Sequence, residues 1–224
     1  MKIISDSVLR EKFIVKFNLR EHVPEIIVDV LALQRFQSGE YLCYQEDELE
    51  YFYMLLSGKL QVDLFNFGGN YAVFSFETPF SIIGDLELFE GTKITSNVQA
   101  LDDSLVFAVP VGIVQNFGFS DEKFLRFVIH HLVKKLRFSS NLLSQIPLSV
   151  EYRLARYLLY RMEKEGKVLQ LEKREALAAM LGVSVRHLNR TLKQMAALNT
   201  IEVQNKRLTI VNTQELLTLT KKGT

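Results

Sequence analysis

Apolar positions along this chain change their period at several points, and each change marks a new element. Over residues 1–30, Val8, Phe13, Phe17, Ile26, Ile27 and Val30 are spaced for a helical stripe, which Pro24 divides. From about Phe36 to Pro110 the helical period gives way to short runs rich in aromatic and β-branched residues: "EYLCYQ", "EYFYMLLSG", "KLQVDLFNF", "NYAVFSF" and "SLVFAVP". The turn-forming stretches "SGE", "SGK", "FGGN" and "EGT" lie among them. Short strands at regular spacing predict a closed or double-sheet β unit of the jelly-roll kind.

A helical period returns from about Asp121 to Gln145. Leu125, Ile129, Leu132, Leu136, Leu143 and Ile146 recur at three- and four-residue steps, interrupted at Ser139 and Ser140, with Lys134, Lys135 and Arg137 off the stripe. A seam this long between two domains predicts pairing with a second copy of the chain. Pro147 stops the helix, and another runs from about Val150 to Glu165, ended by Gly166.

The stretch "KREALAAML" then reads as a helix with Leu177, Ala178 and Leu181 on one face. Gly182 suits the left-handed conformation that allows a sharp turn, and Ser184 suits the cap of a following helix. In that second helix Leu188, Leu192 and Met195 face inward. Arg186, Asn189, Arg190 and Lys193 face outward, with His187 at the edge. This is the pattern of a helix-turn-helix whose second helix enters a DNA groove. Arg is suited to guanine, Asn to adenine, and the Ser184 end of the helix to phosphate. Two β-type runs around Gln204-Asn205-Lys206-Arg207 predict a hairpin wing that sets Lys206 and Arg207 on the DNA backbone.

Charge sharpens this division. Residues 1–150 carry 13 Lys and Arg against 19 Asp and Glu, and residues 151–224 carry 14 against 7, giving −6 and +7. A basic final third joined to an acidic first part suits a polyanionic partner. The single cysteine, Cys43, excludes a disulfide within the chain and an iron–sulfur site built on several thiolates, and reads as a packed strand residue. His22, His130 and His131 are the candidates for haem ligation, but read as surface or packed residues. No nucleophile–base–orienter set, metal-ligand spacing or phosphate-cradling glycine loop is present, so neither catalytic nor metal residues are expected. Without a signal peptide or long apolar run, a cytoplasmic protein with no membrane partner is expected.

In combination, "FQSGEYL", "YFYMLLSGKLQV", "FSIIGDLELFEG", "VQALDDSLVFAVP" and "LGVSVRHLNRTL" resemble the cyclic-AMP receptor protein/FNR superfamily of bacterial transcription regulators, and look closest to its YeiL-like branch. The resemblance spans essentially the whole chain. It implies an α+β fold: an N-terminal cyclic-nucleotide-binding-like β-roll over 1–120, a dimerisation helix over 121–146, and a C-terminal winged helix-turn-helix over 147–224. A homodimer would bind a palindromic promoter site through Ser184, Val185, Arg186, His187, Asn189, Arg190 and Lys193, with Lys206 and Arg207 from the wing. RNA polymerase would be a further partner of an activator. Val185 and Arg186 depart from the family's reader residues, so the target sequence should also depart.

The family's phosphate cassette opens Gly-Glu-Leu and closes Arg-Ser/Thr. Here the segment reads "GDLELFEGTKITSNV": Gly84 and Asp85 match the opening, Ile94 stands where Arg is expected, Thr95 and Ser96 follow, and Lys93 is the nearby cation. Losing a guanidinium removes the two-point partner of the phosphate, which argues against cyclic AMP. No cofactor is expected; Ser139 and Ser140 fall where the family contacts the base, leaving a different small effector as the alternative to a mere interruption of the seam. Such an effector would act through a hinge at Ile146-Pro147, setting two recognition helices about 34 Å apart. The second reading of the whole is a ligand-binding or interaction protein whose last domain contacts protein instead of DNA.

Overall fold

The computed structural model describes residues 1–65, 71–91, 93–143 and 148–220, and divides into two compact units, Met1–Arg137 and Phe138–Thr224. The "FGGN" turn, the Leu143 side chain and the Ile146-Pro147 hinge lie outside the described residues.

The chain opens with β1 (Lys2–Ile3) and the helices α1 (Ser7–Lys16), α2 (Leu19–His22) and α3 (Glu25–Asp29). Asp6 caps α1, its Oδ1 accepting the Leu9 N–H at 2.8 Å, and α3 begins after Pro24, where the sequence predicted a break. The β region contains β2 (Ala32–Phe36), β3 (Tyr41–Cys43), β4 (Tyr51–Ser57), β5 (Leu60–Phe65), β6 (Tyr71–Glu77) and β7 (Ser81–Ile83). After the short helix α4 (Asp85–Glu90) come β8 (Asn97–Ala100) and β9 (Ser104–Pro110). They form a five-stranded sheet, β1-β2-β9-β4-β7, and a four-stranded sheet, β3-β8-β5-β6, both antiparallel.

The β4 run is apolar throughout because both of its faces are covered. Phe52, Met54 and Leu56 pack in one cluster with Phe107 and Val109 of β9 and with the helices. Tyr53 and Leu55 join Val106 and Ala108 in the cluster that includes Leu60 and Val98 of the other sheet. Fully burying each such side chain contributes about 1.5–3 kcal/mol. This is the expected β-roll.

Helix α5 (Val111–Gly118) leads into the long α6 (Glu122–Leu143). Asp121 caps α6 by accepting the Phe124 N–H at 2.8 Å. Phe124, Phe127 and Val128 are buried in the same cluster as the helices α1 to α3, so the first part of α6 belongs to the β-roll's core.

The second unit holds α7 (Val150–Glu165), β10 (Val168–Gln170), α8 (Arg174–Met180), α9 (Val185–Ala197), β11 (Ile201–Gln204), β12 (Arg207–Ile210) and α10 (Thr213–Leu219). Its sheet runs β10-β12-β11, adding one strand to the predicted hairpin. A buried polar network ties α7 to the segment before α8. Arg161 Nη1 donates to Glu172 Oε1 at 2.7 Å, and the Tyr157 hydroxyl donates to the same oxygen at 2.6 Å. Arg161 Nη2 also donates to the Gln170 carbonyl at 3.0 Å. Burial holds the Tyr157 phenol well above its ordinary pKa. Removing one partner leaves the other's charge buried and uncompensated. Arg161→Ala is therefore expected to destabilise this unit by about 3–5 kcal/mol, read as a lower midpoint in urea denaturation of the whole chain.

Candidate nucleic-acid interface and sensor cassette

The turn between α8 and α9 is closed by backbone hydrogen bonds around a left-handed glycine. Gly182 has φ +64°, its N–H reaches the Ala179 carbonyl at 3.1 Å, and the Val183 N–H reaches Ala178 at 2.9 Å. Arg153 of α7 donates from Nη1 to the Leu181 carbonyl at the same corner, fixing α7 against the turn. Ser184 then caps α9, its Oγ accepting the His187 N–H at 3.2 Å.

Leu188, Leu192 and Met195 are buried as the spacing predicted, and Thr191 joins them. With 3.6 residues per turn, Arg186, Asn189, Arg190 and Lys193 occupy the opposite face, and all four are exposed. Ser184 is exposed, while Val185 and His187 are half-buried. In the wing, Asn205 and Lys206 take φ values of +44° and +69°, the pair of left-handed residues that a two-residue hairpin turn requires. The Lys206 carbonyl accepts the Leu171 N–H at 2.7 Å, which anchors the wing tip. Lys206 and Arg207 point to solvent. Every one of the predicted contact residues thus lies on α9, its cap or the wing tip.

Helix α6 carries two apolar faces on nearly opposite sides, about 155° apart. Phe124, Phe127, Val128 and His131 are buried toward the roll, whereas Ile129, Val133 and Leu136 are 54%, 43% and 66% exposed. Leu125 is half-buried. Two details differ from the sequence reading. Leu132 packs against the β-roll core and lies between the faces, so it is not simply a seam residue; Val133, four residues after Ile129, belongs on the exposed face and was missed. The histidines are packed or exposed: His131 lies 4.8 Å from the Phe127 ring and 5.6 Å from Phe80, His22 stacks on Phe127 at 5.7 Å, and His130 is exposed.

The cassette segment carries Asp85, Glu87 and Glu90 against the single cation Lys93. Gly84 takes φ +87°, and a Cβ there would sit 2.9 Å from Leu49 Cδ1, so both conformation and space call for glycine. Asp85 is 3% exposed, and both of its oxygens accept from Lys135 Nζ of α6, at 2.8 and 2.9 Å. The same ammonium donates to the Ile82 carbonyl at 2.6 Å. Burial raises the pKa of Asp85, and Lys135 works against that rise. Glu87, 8% exposed, accepts the Thr95 N–H at 3.0 Å and the Thr95 hydroxyl at 2.8 Å on a single oxygen. Ile94 is buried, Lys93 is exposed and Ser96 half-buried. Ser139 and Ser140 are exposed and fall in the second compact unit. Neither Lys135 nor Glu87 was singled out from the sequence. Lys135 sits one residue off the predicted stripe, and nothing in the spacing signals the Glu87–Thr95 contact.

A β-roll followed by a winged helix-turn-helix with a cationic outer face is the plan of a DNA-binding regulator. Residues 33–121 match the cyclic nucleotide-binding domain family, and residues 152–219 match the Crp-like helix-turn-helix domain family. The chain is 22% identical to the anaerobic regulatory protein of Aggregatibacter actinomycetemcomitans, over 92% of this chain and 83% of that protein. Its fold resembles FixK2 from Bradyrhizobium japonicum, with a TM-score of 0.77 at 18% identity, covering 85% of this chain and 97% of the other. A CRP/FNR-family transcriptional regulator from Thermus thermophilus gives a TM-score of 0.70 at 20% identity, over 86% of this chain and 100% of that one. With both domains present in this order, the chain is a Crp/FNR-type transcription regulator with a helix-turn-helix DNA-binding domain. No helix among the described residues is long and apolar enough to cross a membrane.

Cys43 lies beside this cassette, half-buried, and burial together with the nearby Glu87 charge pushes its thiol up to about 12. Because the thiolate is the reactive form, at pH 8 the native thiol is ionised roughly a thousandfold less than an ordinary one. Alkylation by iodoacetamide at pH 8 should therefore be far slower in the native chain than in urea. Its rate in the native state should climb until the pH approaches 12.

Proposed function

We propose that this regulator acts as a homodimer, paired along the Leu125, Ile129, Val133 and Leu136 face of α6, and reads an inverted-repeat promoter site through two α9 helices. The observation that carries this reading is the division of α9: a fully buried Leu188–Leu192–Met195 face behind four exposed polar side chains, three of them cationic. Among the described residues Arg186, Arg190, Lys193, Lys206 and Arg207 form no ion pair, so their charge is available to phosphate and bases.

In this reading Asn189 and Arg190 meet base edges, since a carboxamide suits adenine and a guanidinium suits guanine. Ser184 and the start of α9 hold a phosphate, with Arg186 and Lys193 flanking it, while Val185 and His187 are the smaller contacts at the helix edge. Lys206 and Arg207 hold the backbone from the wing. The protein works in the cytoplasm by binding and not by catalysis. RNA polymerase is the further partner where it activates. Any effector of the β-roll is a small molecule other than cyclic AMP, because the hydrophobic Ile94 stands where a guanidinium would be needed. Membership of the YeiL-like branch rests on the sequence motifs.

Two measurements test the proposal. Arg190→Ala should weaken operator binding by about 1–3 kcal/mol in fluorescence anisotropy, with wild-type affinity falling steeply as salt rises. A C-terminal domain that docks on protein would instead show neither effect. Leu136→Glu, which places a charge on the exposed α6 face, should turn the dimer into a monomer in analytical ultracentrifugation and abolish tight operator binding. An unchanged dimer would remove α6 from the interface.

A further inference from the structure

We infer that the chain occupies its own cyclic-nucleotide cassette, and that Glu87 is the residue that makes this site refuse phosphate-bearing ligands. The inference rests on the reading of the β-roll as an effector domain and specifies what that domain rejects. An oxyanion bound to this segment needs converging donors. Thr95 offers two, its backbone N–H and its hydroxyl, and the Glu87 carboxylate holds both, at 3.0 and 2.8 Å. The chain's own anion already sits where an external one would be received.

The opening of the cassette is engaged in the same way. Asp85 is the acid that would accept a hydroxyl of the ligand, and Lys135 Nζ spans both of its oxygens while also holding the Ile82 carbonyl. The charge surrounding the segment opposes an incoming anion as well. Among the described residues Glu87 is a buried carboxylate with no cation as a partner, and Glu77 is buried in the same unit. Glu77 is near enough to Asp85 to raise its pKa, and Glu87 near enough to Cys43 to raise that thiol. A phosphodiester placed against Thr95 meets the like charge of Glu87 at contact distance. Ile94, buried at 5% exposure, brings no cation to offset it.

Occupancy and repulsion together make Glu87 a specificity-determining residue. Removing its side chain frees the Thr95 donors and takes away one of the repelling charges. Lys135 has a separate positioning role, fixing the start of α4 to α6 so that the cassette is held in its engaged form without a ligand.

The test uses the full-length protein with cyclic AMP, cyclic GMP and inorganic phosphate as probes at millimolar concentration. Thermal unfolding reads ligand binding, because a ligand that binds only the native state raises Tm. Wild type should show no rise with any probe. Glu87→Ala should gain a phosphate- or nucleotide-dependent rise, and Thr95→Val in the same background should remove it. Glu87→Gln keeps an acceptor oxygen for Thr95 and loses only the charge; it guards against misfolding of the alanine form and should gain a smaller rise. A nucleotide-dependent rise in wild type, or no response in whichever of the two Glu87 variants folds, would overturn the inference. Operator binding by wild type, measured in parallel, separates the two claims. Its absence would sink the regulator reading alone, and nucleotide binding by wild type would sink only the account of Glu87.

Discussion

Helix α6 has more apolar surface than its own domain covers, and the proposed assembly follows from that constraint. Its inward face is fully committed: Phe124 and Val128 are buried in the cluster that also holds Phe52 and Phe107. The outward face, with Ile129, Val133 and Leu136, stays in water in a single chain. A contiguous apolar strip of this kind is costly to leave exposed and suits burial against a partner. The most economical partner for a regular helical strip is the same strip on a second copy, related by a two-fold axis.

That pairing bears on how DNA is read. A single α9 presents few side chains to base edges, and phosphate contacts made by Lys206 or Arg207 carry no sequence information directly. Two copies held at fixed spacing multiply a short half-site into a specific one. In the proposed reading the cationic third of the chain supplies attraction to any duplex, and Asn189 and Arg190 supply discrimination. The β-roll packs on the same helix through which pairing is proposed. Lys135, which grips Asp85, directly precedes Leu136 of the exposed face. One ion pair thus links the cassette to the helix through which pairing is proposed, and the Glu87 carboxylate holds Thr95 in the same segment.

Much of this was legible in the sequence wherever one element alone determines the pattern. The helix-turn-helix showed itself through Gly182, Ser184 and the Leu188–Leu192–Met195 spacing, since all three are local features. Gly166 ends α7 where its position implied, and the wing turn falls on Asn205 and Lys206 as the hairpin pattern required. The β-roll was evident from β4, β5, β6 and β9, but β2, β7 and β8 lack a distinct alternating signal and emerged only from pairing. Leu132 shows why the seam was blurred: a spacing rule recognises apolar residues but not which of two apolar faces each one serves. The Asp85–Lys135 and Glu87–Thr95 contacts were not legible at all. They join residues fifty and eight positions apart, through side chains whose partners depend on tertiary placement.

The most direct test of paired reading is selection of bound fragments from a random duplex pool by the full-length protein. Copies joined through α6 should enrich an inverted repeat whose half-site centres lie about one helical turn apart. Enrichment of a single unrepeated motif, or of no motif at low salt, would contradict it.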